Sequence, residues 1–171
     1  LREQHMMLRR TKSDVGQEAK QLAPHLEWVE PNHKAVKDSE DVAKSLAMRA
    51  LTGGFQEAGM AARELDMQMR AMTGVAKARS VAAYVRMLIE SGQPVLLFGW
   101  HREVYRIWEQ ELGDLNPAWY TGSETPGQKE RGKADFIEGR TDLMIMSLRS
   151  GAGADGIQHR CSTVVFGELD W

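Results

Sequence analysis

The chain has 171 residues, 42% of them hydrophobic, which is enough for one substantial core and a smaller appendage. Its formal net charge of −2 excludes the overall basic excess of a free-standing nucleic-acid binder, so contact with phosphates would need a local patch or a partner. The single cysteine, Cys161, excludes an internal disulfide, and no apolar run reaches the roughly 18 residues that span a bilayer. With a polar start, LREQHMMLRR, unlike a signal peptide, the chain is expected to be intracellular. It begins at Leu1 and stops soon after an apolar run, in VVFGELDW, so it is expected to be a segment of a longer protein.

Residues 1 to 90 are rich in Ala, Met, Glu, Arg and Lys and contain no convincing strand, which predicts a mostly helical first half. In PNHKAVKDSEDVAKSLAMRAL, Asp38 or Ser39 is the expected helix cap, Val42, Leu46 and Ala50 stand at helical spacing, and Gly53 and Gly54 end the helix. A second helix is expected from Gln56 to Met72. The segment KARSVAAYVRMLIESG places Val81, Val85, Leu88 and Ile89 on one face and stops at Gly92. From Gln93 onward apolar runs alternate with helical patterns: PVLLFG, REVYRIWEQEL, AWYTG, GQKERGKADFIEG, DLMIMS and TVVFG. That alternation predicts an α/β fold, a parallel sheet flanked by helices behind an amino-terminal, mostly helical extension. VLLF, LMIM and TVVF are continuously apolar, as strands covered on both faces are. Ligands of such sheets bind beyond the carboxyl ends of the strands. The loops there start at Gly99-Trp100-His101, Thr121-Gly122-Ser123, Ser147 and Gly167.

Three segments carry candidate chemistry. GAGADG, residues 151–156, matches the GxGxxG spacing, but a dinucleotide site needs a long helix opening at the third glycine, and only IQHRCS precedes the next strand. The glycines can still let backbone N–H groups approach an anion, or form a tight connector. YTGSETPGQKER sets Thr121, Ser123 and Thr125 at a strand end with Lys129 and Arg131 beyond, groups that phosphate backbones recruit and that also make an ordinary polar turn. LRRTKSDV brings Arg9, Arg10 and Lys12 together, a patch for DNA or a solvated charge run. His159 and Cys161 lack a second pair of ligands, so no metal site is expected. Ser147 has no His and Asp partners in readable positions, which argues against a nucleophile.

The order of these segments resembles the carboxyl-terminal, second RecA-like lobe of SWI/SNF-type DNA-dependent ATPases of helicase superfamily two. MMLRRTKSDV is similar to the junction between the two lobes, PVLLFGWHREV to the fourth helicase motif, and YTGSETPGQKERGKADFIEG to the stretch that follows it. MSLRSGAGADGIQ resembles motif V, and STVVFGELDW the strand and Trp beyond it, closest to the fork-remodelling branch. The resemblance implies a helical junction and protrusion over residues 1–76 and a RecA-like lobe over 77–171, truncated before the sixth motif. It implies that Thr121, Gly122, Ser123, Ser147 and Arg149 hold the DNA backbone, that Gly151, Gly153, Asp155 and Gly156 face the nucleotide, and that Trp171 couples the two sites. Double-stranded DNA and a first lobe of the same protein are the implied partners, with no membrane and a cytoplasmic or nucleoid-associated location. No GxxxxGK[ST] segment or DExH box is present, so ATP and Mg would be bound only together with that first lobe, and no catalytic residue is expected in this fragment. The competing expectations are a non-catalytic α/β protein-docking module and, more distantly, a doubly wound small-molecule enzyme.

Overall fold

The computed structural model describes residues 24–150 and 154–169. Arg9, Arg10, Lys12, Gly151, Gly153 and Trp171 lie outside the described residues.

Two antiparallel helices form the first half, α1 (His33–Thr52) and α2 (Phe55–Glu90). Asp38 and Ser39 do not cap α1. Asn32 does, its side-chain oxygen accepting from the Lys34 and Ala35 amides at 3.1 and 3.3 Å. Ser39 sits inside the helix and returns its hydroxyl to the Val36 carbonyl at 2.8 Å. The Gly53-Gly54 break stands as expected, but the two helices anticipated after it are one continuous helix of 36 residues. Its first half packs on α1 and its second half on the sheet, so its buried face changes along its length. Small residues allow both approaches: Ala61, Ala76, Ala78 and Ala82 are all buried. The end of α2 agrees with the expected glycine stop, with Gly92 at φ +84°. The division anticipated between residues 76 and 77 falls inside α2.

The second half alternates β1 (Val95–Gly99), α3 (Arg102–Leu112), β2 (Ala118–Tyr120), α4 (Pro126–Ile137), β3 (Leu143–Ser147) and β4 (Thr163–Phe166). All four strands are parallel in the order β2-β3-β1-β4. This is the expected α/β sheet with an amino-terminal helical region. Alternate residues feed two layers. Val95, Leu97, Leu143 and Ile145 join Val81, Val85, Val104, Trp108 and Leu112 under α2 and α3, while Leu96, Met144 and Met146 join Phe136 of α4 on the other face. Trp108 is fully buried and donates its indole N–H to the Ala78 carbonyl at 3.1 Å. At the surface of the first layer, Arg86 of α2 ties the turn after α3 to its helix, donating to both Asp114 oxygens at 2.6 and 2.7 Å.

TVVF departs from expectation. β4 is an edge strand, and Val164 and Phe166 remain 47% and 54% exposed, because no described element covers that face beyond Phe98, which stacks on Phe166 at 5.3 Å. Among the described residues no helix is long and apolar enough to cross a membrane.

Candidate functional site

The parallel register aligns the strand ends. Gly99 pairs with Ser147, Tyr120 with Met146, and Phe98 with Phe166. Thr121, Ser147, Gly99 and Gly167 therefore stand side by side along the carboxyl edge, where each chain leaves the sheet. Parallel pairing of all four strands forces this gathering.

On one side of the edge, the β2–α4 loop is tightly built. Thr125 and Gln128 form a reciprocal capping box, the Thr125 amide donating to Gln128 Oε1 at 2.9 Å and the Gln128 amide to Thr125 Oγ1 at 3.4 Å, and Pro126 opens α4. Thr125 is thereby used as a cap. Thr121, 3% exposed, donates its amide to Glu124 Oε2 at 2.5 Å, and its hydroxyl lies 2.9 Å from the same oxygen. The Ser123 amide in turn donates to Thr121 Oγ1 at 3.3 Å. Glu124 thus places a carboxylate against the very donors that the resemblance assigns to a phosphate. Gly122 and Ser123 remain exposed, and a Cβ on Gly122 would meet nothing within 4 Å.

Ser147 is buried at the end of β3 and accepts the Ser150 amide at 3.0 Å, while Ser150 donates its hydroxyl to the Thr121 carbonyl at 3.2 Å. The Ser147 hydroxyl proton is left for another acceptor. Arg149 projects from this turn, exposed, with its guanidinium 4.6 Å from the Trp100 ring centroid. Lys129 stands in the same way 5.2 Å from the Tyr120 ring. Neither cation has an acidic partner among the described residues. A groove of about 470 Å³ continues from the edge between Arg102, Tyr105 and Arg106 of α3 and Thr121 and Ser123. The Tyr105 hydroxyl is buried there without a partner among the described residues; burial, with the Glu168 and Glu124 charges, raises its pKa, so it stays a neutral donor.

The structure therefore brings Thr121, Gly122, Ser123, Ser147 and Arg149 to one edge. Asp155 and Gly156 form no hydrogen bond with these residues and lie just before the short turn Ile157–His159. Gly156 is left-handed at φ +94°, and the short 3-10 turn Ile157–His159 follows, too brief for a dinucleotide fold. The Asp155 carboxylate accepts from the Gln158 side-chain Nε2 at 2.7 Å and the Gly156 backbone amide at 2.9 Å, which hold its pKa below the usual range. It is an engaged anion, and no cluster of metal ligands occurs among the described residues.

Sequence reasoning passed over three residues. Glu168, 4% exposed, accepts from the Trp100 and His101 amides at 2.7 and 3.0 Å and lies 2.6 Å from His101 Nδ1. Trp100 stands out in the sequence only as part of a strand-exit loop, and Glu124 only as part of a polar turn. The available signal was an acidic residue directly after a strand-ending glycine, in VVFGELDW.

No family model matches the chain. It is 25% identical over 174 residues to the Drosophila melanogaster SWI/SNF-related matrix-associated actin-dependent regulator of chromatin subfamily A-like protein 1, spanning 96% of this chain and 22% of that relative's length. Among solved structures, the Sulfolobus solfataricus SWI2/SNF2 ATPase C-terminal domain superposes with a TM-score of 0.65 at 9% identity, covering 84% of this chain and 70% of that one. The Pyrococcus furiosus Hef helicase domain is a weaker likeness, with a TM-score of 0.43 at 15% identity over 80% of this chain and 32% of that one. The chain has the RecA-like fold of a carboxyl-terminal SWI2/SNF2 helicase lobe and resembles, along nearly its whole length, a segment of a SWI/SNF-related protein.

Proposed function

We propose that this chain is the second motor lobe of an ATP-driven translocase or remodeller of double-stranded DNA. The observation that carries the reading is the carboxyl edge, where Gly122, Ser123, Ser147 and Arg149 are presented together on a lobe of SWI2/SNF2 fold. Such groups suit a phosphate backbone. Ser147 has a hydroxyl proton to donate, Arg149 is an exposed, unneutralised cation, and Gly122 leaves the backbone open to close approach. Contacts of this kind read no base sequence, as a translocating motor requires.

ATP and magnesium enter only through a first lobe of the same protein, and no step of hydrolysis follows from the described residues. The helical hairpin would be the protrusion and the sheet the motor lobe, with the division near residue 76 placed within α2. Trp171 keeps its coupling role, and Gly151, Gly153, Asp155 and Gly156 their nucleotide-facing one, as part of this proposal, and the location is intracellular.

The test is ATP hydrolysis by the full-length protein with and without duplex DNA, comparing the native protein with Ser147→Ala and Arg149→Ala. Loss of DNA stimulation with basal hydrolysis intact supports the motor lobe. Hydrolysis indifferent to DNA in the native protein favours the docking module. One observation speaks for that second reading: the hairpin tip exposes Leu51 at 81% and Phe55 at 97%, an apolar pair at the far end from the sheet. Leu51→Asp with Phe55→Asp would then abolish partner capture and leave DNA binding unchanged.

A further inference from the structure

Arg149 is exposed, and its one described contact is the face of Trp100. What holds Trp100 therefore bears on where the Arg149 charge stands. Trp100 is the first residue after β1, and its amide donates to Glu168 Oε2 at 2.7 Å. The same oxygen takes the His101 amide at 3.0 Å, and Oε1 lies 2.6 Å from His101 Nδ1. Glu168 follows β4, so one carboxylate clamps the exit of β1 to the exit of β4. At 4% exposure a carboxylate is tolerated only with such donors. Its seat also depends on α2. A Cβ on Gly74 would collide with Glu168 Oε1 and stand 3.0 Å from Val104 Cγ2, so that helix position has to be glycine for the carboxylate to reach β1.

We propose that Glu168 is a positioning residue: by fixing the Trp100 and His101 backbone it holds the Trp100 ring under Arg149, and so sets the aim of the cation at the carboxyl edge. Its consequence for DNA rests on the reading given above. Because Glu168 also touches α2 and follows β4, a shift of either element is felt at Arg149 through Trp100, with no direct contact between them.

Two measurements on the 171-residue chain test this. The first is the NMR signal of the Arg149 Nε–H, assigned by its loss in Arg149→Ala, which a guanidinium over an indole face displaces upfield. The second is affinity for a short fluorescein-labelled duplex, read by anisotropy. In Glu168→Ala the Arg149 signal should return to the position of a free arginine, and DNA affinity should fall to the level of Arg149→Ala, on the order of tenfold. Adding Arg149→Ala to Glu168→Ala should then cost nothing further. Glu168→Gln keeps one oxygen for the backbone amides and guards against simple unfolding, so it should show the same changes at reduced size, with far-UV circular dichroism unchanged. Should Glu168→Ala fail to fold, Glu168→Gln and Trp100→Leu decide by the same signal. A folded Glu168 variant whose Arg149 signal does not move, or additive losses in the double variant, overturns the proposal. If Arg149→Ala leaves DNA affinity unchanged in the native background, the DNA reading fails, and the positioning proposal is decided by the Arg149 signal alone.

Discussion

Gly167→Ala tests how closely the edge is packed. Gly167 joins β4 to Glu168 and donates its amide to the Phe98 carbonyl at 2.9 Å. A Cβ there would stand 2.5 Å from Trp108 Cζ2 and 2.7 Å from Cη2, both in the outer ring of an indole that cannot retreat. Trp108 is fully buried and tethered by its N–H to the Ala78 carbonyl. Gly167 has no left-handed φ, so the cost is steric. Overpacking of this kind costs about 1–3 kcal/mol. Trp108→Phe removes the obstructing ring atoms and the hydrogen bond, costing about 2 kcal/mol by itself. In that background the alanine methyl enters vacated space, so its own penalty should shrink to about 0.5 kcal/mol or less. The cycle should therefore show a coupling of about 0.5–2.5 kcal/mol. Urea unfolding read by circular dichroism, with unchanged m-values, measures all four proteins. Additive losses, or a Gly167→Ala variant as stable as the native chain, would refute the argument from the indole.

Three further outcomes are expected. Glu124→Gln removes the charge beside the Thr121 amide and hydroxyl, so duplex affinity should rise and fall more steeply with salt; weaker binding in anisotropy titrations would mean that Glu124 serves the site only by shaping the loop. Asn32→Ala deletes the α1 cap and should cost about 1 kcal/mol, with faster hydrogen exchange at Lys34 and Ala35 than at mid-helix amides. The Arg86 fork lowers the pKa of Asp114, so its stabilisation is present above the unfolded value of about 4 and is lost as pH falls through the lowered folded value. The pair is exposed, so the effect is small, and thermal melts of Asp114→Asn should show a shallower loss between neutral and acidic pH than the native chain.

How much was legible beforehand follows from the range of each interaction. Helix stops at Gly53 and Gly92, the buried runs VLLF and LMIM, and the alternation after Gln93 are local patterns, and each local pattern became the expected element. Because parallel strands deliver all their exits to one edge, the candidate loops could also be gathered in advance. The cap of α1 was misplaced because several polar residues in PNHKAVKDSE can cap, and the contact of the Asn32 amide with the Ala76 carbonyl at 2.6 Å favours the earliest. The fusion of the later helices, the open face of β4 and the partners of the edge residues were invisible for a different reason. Glu168 meets Trp100 across 68 positions, and Gly74 makes room for it from another element. Sequence by itself determined the fold class, the strand exits and the resemblance, since these rest on periodicity and motif order. Only the tertiary structure decided which donors are already occupied and which cation is held ready, because hydrogen bonds and ring contacts between distant residues exist only once the sheet has brought its ends together.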